Sequence, residues 1–141
     1  MCGIAGIIAP ALAPEDREAR VACMVGRQAH RGPDDFGIVS ADQATLGMRH
    51  LAASDSEQGH QPMVSPDERL QLVFNGTIYN RVALRHELTA RGWEFRTHYD
   101  TEVLLAAFAL FGPGCLKRLR GMFAFAVWDS ITRTLFAARD P

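Results

Sequence analysis

Met1-Cys2-Gly3-Ile4-Ala5-Gly6-Ile7-Ile8-Ala9-Pro10 opens the chain. Residues 3–9 are a short apolar run closed by a proline, which predicts a buried strand at the start of the fold. Cysteine at position 2 gives that strand a chemical use. A small second residue permits removal of the initiator methionine, and the new N-terminus then carries a thiol and an α-amine of ordinary pKa about 8. The amine can take the thiol proton, directly or through water, and the thiolate can attack an amide carbonyl. Met-Cys-Gly by itself is weak support for such chemistry.

Working outward, residues 14–29 are predicted as a helix. Pro14 suits its first turn, Glu15 and Asp16 suit the positive end of its dipole, and Val21, Met24 and Val25 fall on one face. Gly32-Pro33 breaks both periodic patterns, so residues 30–35 read as a loop. Residues 36–40 and 45–51 are strand candidates joined by a polar turn, and residues 52–68, with two prolines, read as a loop. Residues 70–74 form a strand that runs into Asn75-Gly76, a dipeptide that favours φ > 0 and predicts a sharp turn. Residues 80–91 form an amphipathic helix with Val82, Leu84 and Leu88 inward and Gly92 as its stop. A short strand is predicted over 93–96, a helix capped by Asp100 over about 101–111, a short helix near 115–119, and a hairpin of 122–128 with 134–138. Strand pairs separated by helices, without regular β-α-β alternation, argue for α+β layers.

The chain has 141 residues, 48% hydrophobic and 22% charged, with a formal net charge of -1. That composition suits one soluble globular domain and gives no reason to expect nucleic acid or an anionic membrane as partner. Lys117, Arg118 and Arg120 read as a solvated helix face. Cys2, Cys23 and Cys115 are too few and too widely spaced for a disulfide framework or a metal-binding Cys-x-x-Cys. A reducing, cytoplasmic compartment fits them, with Cys23 and Cys115 as packing residues. The apolar run at the N-terminus is short, lacks a preceding positive charge and is broken by Pro10, so it is not read as a signal peptide. No segment reaches the length of a membrane span.

Two further elements carry chemistry. A strand ending in Asn75-Gly76 offers a side-chain amide and a backbone N–H at one place, a pair able to form an oxyanion hole. The loop His30-Arg31-Gly32-Pro33-Asp34 offers polar groups that can hold a substrate or a neighbouring loop.

In chain order stand Met1-Cys2-Gly3-Ile4-Ala5-Gly6, His30-Arg31-Gly32-Pro33-Asp34, Gly59-His60-Gln61-Pro62-Met63 and Phe74-Asn75-Gly76-Thr77-Ile78-Tyr79-Asn80. Asp100-Thr101-Glu102-Val103, Gly121-Met122-Phe123-Ala124-Phe125-Ala126 and Ala138-Arg139-Asp140 follow. Together they resemble the class II glutamine amidotransferase domain of asparagine synthetases over residues 1–141, as a single domain. The resemblance implies a four-layer αββα N-terminal-nucleophile hydrolase fold. It implies hydrolysis of L-glutamine to glutamate and ammonia through a γ-glutamyl thioester on Cys2. It also implies ammonia transfer to a synthetase domain or subunit that uses ATP and magnesium, so neither cofactor nor metal is expected in this domain. By position, Cys2 is the nucleophile, its α-amine the base, and Asn75 with the Gly76 N–H the oxyanion hole. Asp100 would bind the substrate ammonium, and Arg31 would support the site.

Two positions depart from the family pattern. Leu46-Gly47-Met48-Arg49-His50-Leu51 places His50 where the family has the arginine that grips the glutamine α-carboxylate, with Arg49 one residue earlier. On a strand a one-residue shift points a side chain to the opposite face, so Arg49 stands in only if the strand bulges. A protonated histidine can bind a carboxylate but lacks the bidentate fork. The second departure is Thr77, where the family has a glutamate that helps bind the ammonium group. His50, Thr77, Arg31 and Arg49 are therefore candidate substrate residues with an altered clamp, and retained glutaminase activity is the point at issue. The alternatives are a catalytically weak or silent module that binds a synthetase partner, and an amidase for a different amide.

Family members continue past Arg-Asp with further strands, and no Ser-Gly-Gly-x-Asp-Ser loop occurs in the chain. The domain is thus expected to be C-terminally shortened relative to the family, without synthetase activity. The expected hydrophobic edge near 135–138 would favour pairing, including homo-oligomers.

Overall fold

The computed structural model describes residues 2–51 and 59–141. Strand β1 (Gly3–Ile8) is followed by helix α1 (Pro14–Arg27) and the hairpin β2 (Asp35–Ala41) and β3 (Ala44–His50). These strands form an antiparallel sheet in the order β1-β3-β2. A second antiparallel sheet follows, β4 (Met63–Val64), β5 (Leu70–Ile78), β6 (Gly121–Asp129) and β7 (Thr134–Arg139), in that order. Helices α2 (Arg81–Ala90) and α3 (Asp100–Phe111) and a 3-10 turn (Gly112–Lys117) lie between β5 and β6 in sequence.

Side-chain alternation sorts the residues into layers. On the first sheet, Ala5 packs with Val21 and Val25 of α1, while Cys2, Leu46 and Met48 pack with Val73 and Trp128 of the second sheet. On the second sheet, Leu72 and Phe74 of β5 and Phe125 and Val127 of β6 meet α2 and α3 through Leu84, Leu88, Leu104 and Phe108. The result is helix, sheet, sheet, helices, the four-layer α+β arrangement expected. Helix α3 is buried over its first nine residues, Asp100 to Phe108, because it lies between β5 and α2.

Arg17 of α1 is buried and spends its guanidinium on carbonyls. It donates to Ala9, Leu12, Ala41 and Asp42 oxygens and to the Thr45 hydroxyl, tying the exit of β1 to the turn between β2 and β3.

Several local expectations are corrected. Asn75-Gly76 is not a turn, because β5 continues through both residues to Ile78, paired with β6 throughout. Residues 93–96 are not a strand. Helix α3 is capped by Tyr99, and Asp100 is its first residue. The short element before β6 is a 3-10 turn that begins at Gly112. The stretch 59–68 holds the small strand β4, while 52–58 lies outside the described residues, as does Met1. Cys23 and Met24 are exposed on α1, and Val82 is 63% exposed, so none of the three packs as expected. Cys115 is fully buried, and burial pushes its thiol up to about 11.

Candidate active site

The register of β1 on β3 decides what faces Cys2. Gly3 pairs with Arg49, so Cys2, one step earlier, faces His50. The Cys2 Sγ lies 3.7 Å from the His50 Nδ1. Cys2 is 4% exposed and His50 8% exposed. The His50 Nε2 is buried and has no hydrogen-bond partner among the described residues.

Arg49 is on the other face of β3, with its guanidinium 5.5 Å from the Phe36 ring centre. The pairing of β3 with β2 runs unbroken past it to His50, and the pairing with β1 reaches it without a break, so no bulge turns Arg49 toward Cys2. The structure brings His50 to the Cys2 thiol and leaves Arg49 out.

The loop His30-Arg31-Gly32-Pro33-Asp34 closes over this pair. The Arg31 Nε donates to the Cys2 carbonyl at 3.3 Å, and the Asp34 N–H donates to the His50 carbonyl at 3.2 Å. Gly32 sits so close to the β3 backbone that a Cβ there would be 2.7 Å from the His50 nitrogen. Only glycine allows that approach.

The second sheet supplies the opposing wall. Val73 packs in the Cys2 cluster, so by the two-residue period Asn75 and Thr77 share its face of β5. Asn75 is half-buried and Thr77 exposed, which places Thr77 at the outer end of that face. Gly76 has φ +152, and a Cβ there would lie 2.1 Å from the Met122 carbonyl oxygen. The close crossing of β5 and β6 thus requires glycine beside Asn75.

Asp100 is 1% exposed. Its Oδ2 accepts the Ile78 N–H at 2.7 Å, and its Oδ1 faces the Arg81 Nη1 at 3.4 Å. The carboxylate is therefore fixed at the end of β5, one residue beyond Thr77.

Two supporting residues carried no assigned role in the sequence reading. The Gln61 Oε1 accepts the Phe74 N–H at 2.6 Å, fixing the backbone just before Asn75. Glu102 accepts the Arg96 N–H at 2.9 Å and the Thr97 N–H at 2.6 Å, holding the segment that leads into α3. Both lie within the quoted motifs, which was the only signal for them.

A cavity of about 410 Å³ opens elsewhere, between α3 and β7, lined by Phe108, Pro113, Thr134 and Phe136 among others. None of its lining residues belongs to the cluster around Cys2. Its charged lining residues, Arg69 and Asp129, are bonded to each other.

Two stacked antiparallel sheets between helices, with Cys2 buried in their seam beside the strand that carries Asn75-Gly76, make up an amidotransferase-type fold. Solved structures share it at 22% identity over 98% of this chain and 37% of theirs. Two of them are the allosteric regulatory enzyme of purine biosynthesis, TM-score 0.79, and the glutamine phosphoribosylpyrophosphate amidotransferase of B. subtilis, TM-score 0.71. The model of the glutamine amidotransferase domain matches residues 1–141, and the chain belongs to that family.

Among curated relatives, asparagine synthetase [glutamine-hydrolyzing] 1 of Bacillus subtilis is 41% identical over 100% of this chain and 23% of its own length. The putative asparagine synthetase of Mycobacterium tuberculosis H37Rv is 45% identical over 100% of this chain and 24% of its own. The chain therefore spans about a quarter of the relatives it matches.

Proposed function

We propose that this chain hydrolyses L-glutamine to L-glutamate and ammonia, with Cys2 as nucleophile. The observation that supports it most is the position of the thiol. It is buried in the seam between the sheets, beside His50, and packs with Val73 on the face of β5 that also carries Asn75.

With Met1 removed, the Cys2 α-amine is the general base. The Sγ attacks the side-chain amide carbon, and the carbonyl π pair moves to oxygen. The Asn75 side-chain amide and the Gly76 N–H hold that oxygen, each donor worth about 2.7–4 kcal/mol. The C–N bond breaks, the proton goes to the leaving nitrogen, and a γ-glutamyl thioester remains. Water then attacks the thioester, releasing glutamate and restoring the thiol.

Asp100 and Thr77, at the end of β5, are assigned to the substrate ammonium. His50 is assigned to the carboxylate side, with Arg31 and its loop in support. Arg49 has no role in this scheme, because its guanidinium lies over Phe36.

The ammonia is proposed to pass to an ATP-dependent synthetase domain or subunit of the asparagine-synthetase type. The relatives named for that activity are about four times the length matched. ATP and magnesium belong to that partner in this reading, and no cofactor is assigned to this chain. Cytoplasmic placement is part of the same proposal. No helix among the described residues is long and apolar enough to cross a membrane.

A second reading, a silent module packed on a synthetase partner, is favoured by His50 and Thr77 in place of the family's arginine and glutamate. Intact mass after incubation with 6-diazo-5-oxo-L-norleucine separates the two. Loss of methionine with a single adduct on Cys2, absent in Cys2→Ala, supports the hydrolase. A processed chain without adduct supports the silent module.

A further inference from the structure

The contact between Cys2 and His50 carries chemistry beyond substrate binding. The two side chains, Cys2 just before β1 and His50 at the end of β3, face each other 3.7 Å apart, and both are more than nine-tenths buried. Sulfur at that distance from a ring nitrogen is within hydrogen-bonding reach. A neutral imidazole has one N–H and one lone pair. With the proton on Nε2, the Nδ1 lone pair points at the thiol. The Nε2 is then a buried donor with no partner among the described residues, available to an acceptor brought by a ligand.

We propose that His50 is a catalytic base of this chain, taking the Cys2 thiol proton at Nδ1 and returning it to the leaving group. The S–H bond breaks as the Nδ1–H bond forms, and the thiolate attacks the amide carbon. The imidazolium proton then passes to the departing nitrogen, which leaves as ammonia. In the second half, the ring takes a proton from the attacking water and gives it back to the sulfur. The nucleophile thus has a side-chain base besides its α-amine. The amide steps rest on the glutaminase reading, whereas the proton contact does not.

The ionisable groups facing the pair lie on three segments. Arg31 donates to the Cys2 carbonyl and Asp34 to the His50 carbonyl. Asp35 pairs with His50 across β2 and β3, with its carboxylate 3.4 Å from His60, and Arg49 is next to His50 along β3. The substitution below leaves all of them in place.

The test is the pH dependence of Cys2 alkylation by iodoacetamide, mapped by mass, in a Cys23→Ser background that removes the exposed thiol. At about pH 6.5, Cys2 with His50 intact is expected to react about tenfold faster than in His50→Gln, with the two rates converging near about pH 10. Equal rates at the lower pH, or one ratio at every pH, would overturn the proposal. Should neither form react, the ring ¹⁵N resonances of His50 give the answer. Cys2→Ala is expected to move their titration midpoint by about one pH unit. An unmoved midpoint would overturn the proposal. No glutamine enters either measurement, so a failed glutaminase reading and a failed proton pair are told apart.

Discussion

The Asp100 carboxylate accepts the Ile78 backbone N–H at 2.7 Å, joining the first residue of α3 to the last residue of β5. The group assigned to the substrate ammonium is thus also a fold contact. Asp100→Ala leaves that buried N–H without its acceptor and is expected to lower stability by about 1–3 kcal/mol in urea unfolding. Asp100→Asn keeps an acceptor oxygen and should recover most of that loss. Its KM for glutamine should still rise, since an amide does not attract an ammonium group as a carboxylate does. An Asn variant with unchanged KM would remove Asp100 from the substrate site.

Gly76→Ala puts a methyl 2.1 Å from the Met122 carbonyl oxygen, at a φ of +152 that side chains rarely adopt. Strain of this kind costs about 1–3 kcal/mol. The expected outcome is a lower unfolding midpoint together with loss of glutaminase turnover, because the β5 backbone next to Asn75 must move. Full activity in a folded Gly76→Ala protein would argue against an oxyanion role for this N–H.

His50→Arg with Thr77→Glu restores the family's two charged groups. With charge-assisted bonds worth about 1.5–3 kcal/mol each, KM for glutamine should fall by about tenfold or more. The guanidinium cannot accept a proton, so kcat should fall in the same variant. Steady-state kinetics separate the two effects. An unchanged KM would mean that neither side chain meets the substrate.

Away from the site, Arg69 donates to both oxygens of Asp129 and holds its carboxyl at about 2, below the ordinary 3.8. A depressed carboxylate stabilises the fold above its unfolded value and ceases to do so as pH falls toward 2. Arg69→Met should therefore be less stable than the parent at neutral pH, with the gap closing between about pH 3.8 and 2. Acid titrations followed by circular dichroism would measure it. A gap independent of pH would mean that Arg69 acts by packing alone.

Much of the architecture was legible locally. Pro14, Glu15 and Asp16 mark α1, and the apolar runs at 3–9 and 70–74 are strands. Two errors share one cause, that tertiary bonds overrode a local preference. Asn75-Gly76 favours a turn in isolation, but nine paired positions with β6 hold it extended. Trp93 and Phe95 alternate as in a strand, yet the Arg96 and Thr97 N–H groups go to the Glu102 carboxylate and not to a neighbouring strand. Val82 fits the helical period but lies on the exposed side of α2, covered by no layer among the described residues.

At the candidate site, the motifs single out Cys2, Asn75 and Gly76, and the fold places Cys2 in the seam with the face of β5 that carries Asn75. The strand-face argument for His50 against Arg49 also agrees with the geometry. The contact between Cys2 and His50 was not legible, because 48 residues separate them and only the register of β1 on β3 joins them.

That register has a consequence for how the site can change over time. Leu46 and Met48 share the face of β3 that carries His50, and all three project into the seam between the sheets. Gaining or losing one residue in the short connection at Asp42-Gln43 would, in principle, present Arg49 to the sulfur. It would also eject Leu46 and Met48 from the seam and drive Thr45 and Gly47 into it. The group opposite the Cys2 thiol is thus insulated from insertions and deletions. An ancestor or descendant with a different group there must have acquired it by a codon change at position 50 itself.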